Sequence, residues 1–415
     1  MRRPALALVT LADLATATPQ AARVRELARS LARPADDGGP GHRVTIFARR
    51  QDPDARSRSR LASGAALRLL DVGPAEPLTE DAALRHVGAL AEALRERWTG
   101  AARPDVVHAH GWIAGLAACA AARELDIPFV LSYHGLAAGD RRAGRPVHPA
   151  RMRVETAIGR DASLVLAAHT AEAEALARMG VPRPAVRVLP LGVDDDRFTP
   201  EGPAAGGRRG RARLLTMPRD LGDGGAEAAI RALVHVPDAE LVVAGGPDAE
   251  GLGGDPDVHR LTLLAKELHV EDRVEFTGAV APRALPKLLR SARLLLSLSP
   301  TLPVPEVAVE AMACGVPVVT TPAGANADSV LSGITGLHVP AGRPAAVGRT
   351  LRRLLADETT LHGWSIAAVD RARSRYGWGR IAAEAARAYE RVLPEPEPEP
   401  EVEAAPEQDA EALAS

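Results

Sequence analysis

Two doubly wound α/β domains, each a mostly parallel sheet covered by helices, are what this 415-residue sequence predicts, with an acidic tail behind them. Three observations carry that expectation. Apolar runs of strand length alternate with segments of helical period, and the whole pattern is written twice. Residues 199–213 (TPEGPAAGGRRGRAR) separate the two copies; rich in Gly, Pro and Arg, they read as a linker. Beyond Pro394 the Pro-Glu repeats are too polar to bury a core, so 394–415 reads as a disordered tail.

Taken in order, the first copy places strands at 5–10, 44–48, 66–72, 106–110, 129–134, 164–167 and 186–191. Helical periodicity falls between several of them, as at 21–32, 80–98 and 111–125. The first run, behind Met1-Arg-Arg, has the outline of a signal peptide, but Asp13 interrupts it, and a buried strand is the better reading. The second copy places strands at 214–217, 240–244, 274–277, 294–298, 316–320 and 336–339, with helices at 225–234, 258–268, 283–290, 307–313 and 345–355. Two last helices are expected at 359–375 and 378–393. The expected division is therefore a first domain over 1–198, the linker, a second domain over 214–376, and a closing helix over 377–393 that packs back on the first domain. Sheets of this kind bind ligands outside the C-terminal strand ends, so paired domains share a cleft.

Composition excludes several function classes. Eleven aromatic residues are too few for a platform that stacks bases, and no nucleic-acid partner is expected. The basic residues are 49 Arg and two Lys, Lys266 and Lys287, with the arginines spread along the whole chain. Eight acidic residues and no Lys or Arg lie in 395–415, so an overall charge of −2 leaves the rest at +6, suited to a small anionic substrate. Cys119 and Cys314 are far apart in apolar segments, which fits a reducing compartment and a cytoplasmic location. No run approaches the ~18 apolar residues of a spanning helix; peripheral membrane contact stays open.

The most informative stretch is 304–321, VPEVAVEAMACGVPVVTT. Glu310 lies in a short helix closed by Gly315, ahead of a buried strand. A carboxylate there faces the cleft and can accept two hydroxyl hydrogen bonds, as a ribose would offer.

With this stretch in view, the sequence resembles the family 4, two-Rossmann-domain (GT-B) glycosyltransferases. The resemblance also rests on VRELARSLA (24–32), PDVVHAHGWIAGLAA (104–118), SYHGLA (132–137), VLPLGVDDDRFTP (188–200), AIRAL (229–233), AELVVAGGP (239–247) and RARSRYGW (371–378), collinear from about residue 5 to 393. It implies transfer of a sugar from a nucleotide-diphosphate donor, such as a UDP- or GDP-sugar, to a hydroxyl acceptor. Retention of configuration, no metal and no cofactor beyond the donor substrate are part of the same implication. Glu310 matches the glutamate that holds the donor ribose, with Glu306 and Val307 on the donor side of the same helix. Arg219 matches the arginine facing the donor pyrophosphate. His134 matches the histidine beside the donor sugar and acceptor, and His110 a further histidine at the mouth of the cleft.

The sequence departs from that pattern at four places. Leu302 stands where the family has the first of two glutamates, eight residues before Glu310, and leaves a sugar hydroxyl without its acceptor. Pro305 replaces a glycine and removes a backbone N–H. Gly224, within Asp220-Leu-Gly-Asp-Gly-Gly225, takes the place of a lysine for the diphosphate. Thr18-Pro19 replaces a glycine pair. These changes keep a second reading open, a catalytically impaired relative that acts as a binding or regulatory partner of another protein. Asp194-Asp195-Asp196 reads as a loop rather than a metal site, and the twelve histidines lack metal-ligand spacing.

Overall fold

The computed structural model describes residues 3–16, 18–206, 210–218, 220–300 and 305–394. Strands β1 (Ala5–Thr10), β2 (Arg43–Arg49), β3 (Arg58–Ala62), β4 (Ala65–Leu70), β5 (Val106–His110), β6 (Phe129–Ser132), β7 (Leu164–Ala167) and β8 (Val186–Val188) form a first sheet in the order β3-β4-β2-β1-β5-β6-β7-β8. Every pairing in it is parallel except β3 with β4. Strands β9 (Ala212–Thr216), β10 (Ala239–Ala244), β11 (Val274–Gly278), β12 (Leu294–Ser297), β13 (Val318–Thr320) and β14 (Gly336–His338) form a second, wholly parallel sheet in the order β11-β10-β9-β12-β13-β14. This is the doubly wound order in which the chain reverses direction at the first strand, beside β5 in one sheet and beside β12 in the other. The fold is thus two Rossmann-like parallel-sheet domains, as expected.

The first sheet is covered by helices α1 (Pro19–Ala32), α2 (Glu80–Arg85), α3 (Val87–Trp98), α4 (Trp112–Glu124), α5 (Ala137–Arg142), α6 (Arg151–Asp161) and α7 (Thr170–Arg178). The second carries α8 (Gly225–Leu233), α9 (Pro256–Glu267), α10 (Leu285–Arg290), α11 (Pro305–Ala313), α12 (Asn326–Ser329), α13 (Pro344–Ala356) and α14 (Glu358–Arg371). The last helix, α15 (Trp378–Glu390), leaves the second sheet and packs on the first: Ile381, Ala385 and Tyr389 share a core with Leu6, Val24 and Ala28. Burying such side chains contributes ~1.5–3 kcal/mol for each large one, enough to fix where the crossover runs. Gly192 is required at that crossover, because a Cβ there would lie 2.3 Å from the Trp378 ring. Beside it Val193 N–H donates to the Tyr376 carbonyl at 2.8 Å, so the two chain segments joining the sheets run side by side.

Several elements differ from the sequence expectation for physical reasons. The helix expected over 80–98 is two, α2 and α3, because His86 leaves helical geometry with φ −102° and ψ 3°. The strands expected to reach 134 and 191 end at Ser132 and Val188, where the backbone turns to build the cleft. The edge strand β3 was not expected at all; its sequence, Arg-Ser-Arg-Leu-Ala, lacks apolar alternation. The linker reading of 199–213 overruns into β9, where Arg213 is buried against Glu240 with its Nε 2.8 Å from Oε1. Charge compensation lets a strand carry a residue that hydropathy assigns to a loop. Residues 395–415, most of the expected tail, lie outside the described residues.

Candidate active site

Each sheet presents its strand ends to the other at the point where its order reverses. In the first domain that point is built from histidines. His108 and His110 alternate on β5 and project to one side, 1% and 2% exposed, with ring centroids 4.1 Å apart. His134 follows β6 in left-handed geometry, φ +59°, with Gly135 at +118°. Such a conformation costs a non-glycine residue ~1–2 kcal/mol, so something must hold it. Arg151 does so, donating from Nη2 to the Gly135 carbonyl at 2.9 Å and from Nε to Glu155 at 2.8 Å. Buried Glu155 in turn accepts from the Ala137 N–H at 3.0 Å.

The histidines are linked. His134 Nε2 lies 2.9 Å from His110 Nδ1, and Arg23 on α1 donates from Nη1 to His134 Nδ1 at 3.0 Å. His108 lies 2.8 Å from the Tyr389 hydroxyl through Nδ1 and 3.0 Å from Ser132 Oγ through Nε2. Ser132 spends its own proton on the Leu166 carbonyl, so His108 Nε2 donates to it and Tyr389 donates to Nδ1. All three rings are held neutral. Burial lowers His110 to about 3, with Arg23 adding to it. Burial, then Arg23 and His110, push His134 far below its usual range, and burial followed by the other two histidines does the same to His108.

Two cavities flank the histidines. A small one of about 40 Å³ lies among Arg23, His108, His110, His134, Glu172 and Trp378, with room for a few waters. A more open one of about 230 Å³ lies over the β1, β2 and β5 ends, lined by Gln20, Arg49, Gln51, Glu80, His110 and Trp112. The two glutamine amides point their NH₂ groups at the backbone carbonyls of His110 and Leu11, leaving their oxygens as acceptors. Thr18 and Pro19 edge this region as a helix start. Thr18 Oγ1 accepts from the Ala21 N–H at 3.4 Å and Pro19 opens α1. The two residues thus serve as the cap and first residue of α1.

In the second domain the reversal point lies between β9 and β12, a hollow lined by Thr216, Asp223, Gly225, Ser297 and Ser299. Gly224 adopts φ +85° at the N-terminus of α8, and Asp223 accepts from the Gly225 N–H at 2.7 Å. Burial raises the Asp223 carboxyl above its ordinary value. Helix α11 starts at Pro305 and carries Glu306, Val307 and Glu310, the first and last one helical turn apart on one face. Burial, reinforced by Glu306 and partly offset by Arg197, pushes the Glu310 carboxyl up to about 7. Arg219 and Leu302 lie outside the described residues, as does the Pro305 side chain.

The halves meet through side chains no local pattern pairs. Arg23 reaches from α1 to the Glu306 carboxylate on α11 while holding His134, with both ion-pair partners mostly buried. A second bridge runs from the Thr170 N–H to Asp328 at 2.7 Å. The structure therefore brings His110, His134 and Glu306 together through Arg23, while Val307, packed against the second domain's core, and Glu310 share the helix of Glu306. It adds Arg23, Arg151, Glu155, His108 and Tyr389, which motif matching did not single out. The Asp194–Asp196 run forms a turn, Asp194 accepting from the Arg197 N–H at 3.1 Å, and no group of three or more metal-ligating side chains occurs among the described residues. No helix among them is long and apolar enough to cross a membrane.

Two family descriptions match the chain in tandem, "Glycosyl transferase 4-like domain" over residues 20–192 and "Glycosyl transferases group 1" over residues 206–371. A D-inositol 3-phosphate glycosyltransferase of Frankia alni is 31% identical over 394 residues, spanning 89% of this chain and 93% of its own. One from Streptomyces bingchenggensis is 30% identical over 380 residues, spanning 84% and 81%. Among solved structures, sucrose-phosphate synthase from Thermosynechococcus elongatus superposes with a TM-score of 0.77 at 23% identity, covering 94% of this chain and 99% of that one. Anabaena HepE in complex with UDP and glucose gives 0.70 at 17% identity, covering 94% and 100%. At such identities these structures speak for the shared fold.

Proposed function

This chain belongs to the glycosyltransferases that join a 4-like domain to a group 1 domain, and we propose that it moves a sugar from a nucleotide-diphosphate donor to a hydroxyl acceptor with retention and without a metal ion. The observation that carries this reading is the Arg23–Glu306 contact, which sets the strand ends of both sheets against one cleft. On the donor side the family resemblance assigns Glu310, once ionised, to two ribose hydroxyls, with Glu306 and Val307 on the same helix, and assigns Arg219 to the pyrophosphate. The N-terminal amides of α8 add positive potential there. On the acceptor side, the cavity over β1 and β5 offers amide oxygens, Glu80 and an indole edge, surroundings for a polyol rather than an apolar molecule. The relatives named for D-inositol 3-phosphate support a cyclitol or sugar acceptor. His110 and His134 stand between the two sides, where the anomeric carbon would sit.

Same-face attack, with the leaving phosphate taking the acceptor proton, needs no pair of catalytic carboxylates of the kind glycoside hydrolases carry. No cofactor beyond the donor is required. The two buried thiols suit a reducing compartment, so we place the protein in the cytoplasm. The test is incubation with UDP-glucose or GDP-mannose and a panel of cyclitol and sugar acceptors in EDTA, following diphosphate release and the anomeric proton of the product. An α-linked product is expected; a β-linked product, or loss of turnover in EDTA, refutes the reading. Asp223 beside the diphosphate position favours one other reading, an impaired relative that binds the nucleotide for a protein partner without transfer. Tight nucleotide binding with no diphosphate release from any donor would select it.

A further inference from the structure

We propose that Arg23 is a positioning residue that couples closure of the two domains to the hydrogen-bond polarity of the histidine pair in the cleft. The reasoning starts from what a guanidinium can do. It has five N–H donors and no acceptor, so His134 Nδ1, 3.0 Å from Arg23 Nη1, must offer its lone pair. With the ring neutral, the His134 proton is on Nε2, which therefore donates across 2.9 Å to His110 Nδ1. The His110 proton is then on its own Nε2. That N–H has no partner in the structure although the residue is 2% exposed.

The direction of this chain depends on Arg23. Without it, His110 Nδ1 can equally donate to His134 Nε2, and His110 Nε2 becomes an acceptor. With it, a buried N–H donor stands at the floor of the cleft and requires an oxygen, which a sugar hydroxyl or a water supplies. Arg23 is itself held from the other domain, by the Glu306 carboxylate on α11. Its Nε and the second Glu306 oxygen have no other partner. Opening the cleft removes Glu306, frees the arginine and leaves the polarity of the pair unset. The consequence for catalysis rests on the glycosyl-transfer reading; the polarity itself does not.

The experiment is a long-range proton–nitrogen correlation spectrum of the full chain, labelled with ¹⁵N-histidine, without donor or acceptor. Signals are assigned by their loss in His110→Asn and His134→Asn. The wild type is expected to show protonated Nε2 and bare Nδ1 for both rings. In Arg23→Met the two polarities become near-equal and the Nε2–H fraction falls to about half. Glu306→Leu, which has no acceptor for the Arg23 guanidinium, shifts both rings the same way, and Arg23→Lys, which still donates to Nδ1, keeps the wild-type pattern. Unchanged tautomers in Arg23→Met overturn the assignment. A change there with none in Glu306→Leu overturns the coupling to closure. Glu306→Leu, altered on the other domain, carries the test by itself where Arg23→Met does not fold. Because no substrate is present, an inactive protein with the expected spectrum refutes glycosyl transfer and leaves this inference standing.

Discussion

Replacing Glu310 with glutamine should stabilise the ligand-free protein while destroying its nucleotide site. The carboxyl is mostly buried on α11, has Glu306 one turn away, and titrates at about 7 against an ordinary 4.5. Its folded value exceeds its unfolded value, so between those pH values the native state holds a proton that the unfolded state has released. Stability then falls as pH rises through the interval. The full penalty, reached above pH 7, is about 3 kcal/mol at 1.36 kcal/mol per unit. Glutamine carries no charge and escapes it. Denaturant unfolding of both proteins should coincide at pH 4.5, diverge between 4.5 and 7, and differ above pH 7 by about 3 kcal/mol in favour of the variant. Nucleotide binding, which needs the ionised carboxylate, should strengthen about tenfold from pH 6 to pH 8 in the wild type. A stability difference that does not change with pH would refute the reasoning, because its source is the cost of the charge, set by burial and by the neighbouring Glu306.

Three further outcomes follow from the same geometry. Gly224→Lys, the residue type that the family resemblance implies at this position, should destabilise the fold by about 1–2 kcal/mol rather than raise activity, since φ is +85°; urea unfolding reads it. Asp223→Asn should tighten binding of a nucleoside diphosphate several-fold by removing a charge beside the anion, checked by calorimetry at low and high salt. Tyr389→Phe takes the donor from His108 Nδ1 and should cost about 1–3 kcal/mol, with early exchange of α15 amides in hydrogen-exchange measurements.

The strands that carry the fold were legible because parallel strands buried on both faces read as near-continuous apolar runs, as in Ala5–Thr10 and Leu164–Ala167. The antiparallel edge Arg58–Ala62 was not, because an exposed edge needs no apolar face. The family resemblance picks out His110 and His134, and their position at strand ends, where sheets of this order place ligands, supports the choice. Arg23 could not be picked that way. On α1 it is one arginine among many, and its partner Glu306 is 283 residues away. In the sequence Thr18-Pro19 reads only as a departure from a glycine pair, and its local role, capping and opening α1, is visible in the structure. At Gly224 the sequence shows only which side chain is absent, whereas the left-handed conformation there is visible in the structure alone.

The central claim, a working nucleotide site on the second domain, is tested most directly by calorimetric titration of UDP, GDP, ADP and their sugar conjugates into the wild type and Glu310→Ala, with melting curves confirming that both are folded. One nucleotide class should bind the wild type and, at 100 times its Kd, add about 2.7 kcal/mol of stability; Glu310→Ala should lose both effects. A folded wild type that binds none of them at millimolar concentration would contradict the claim.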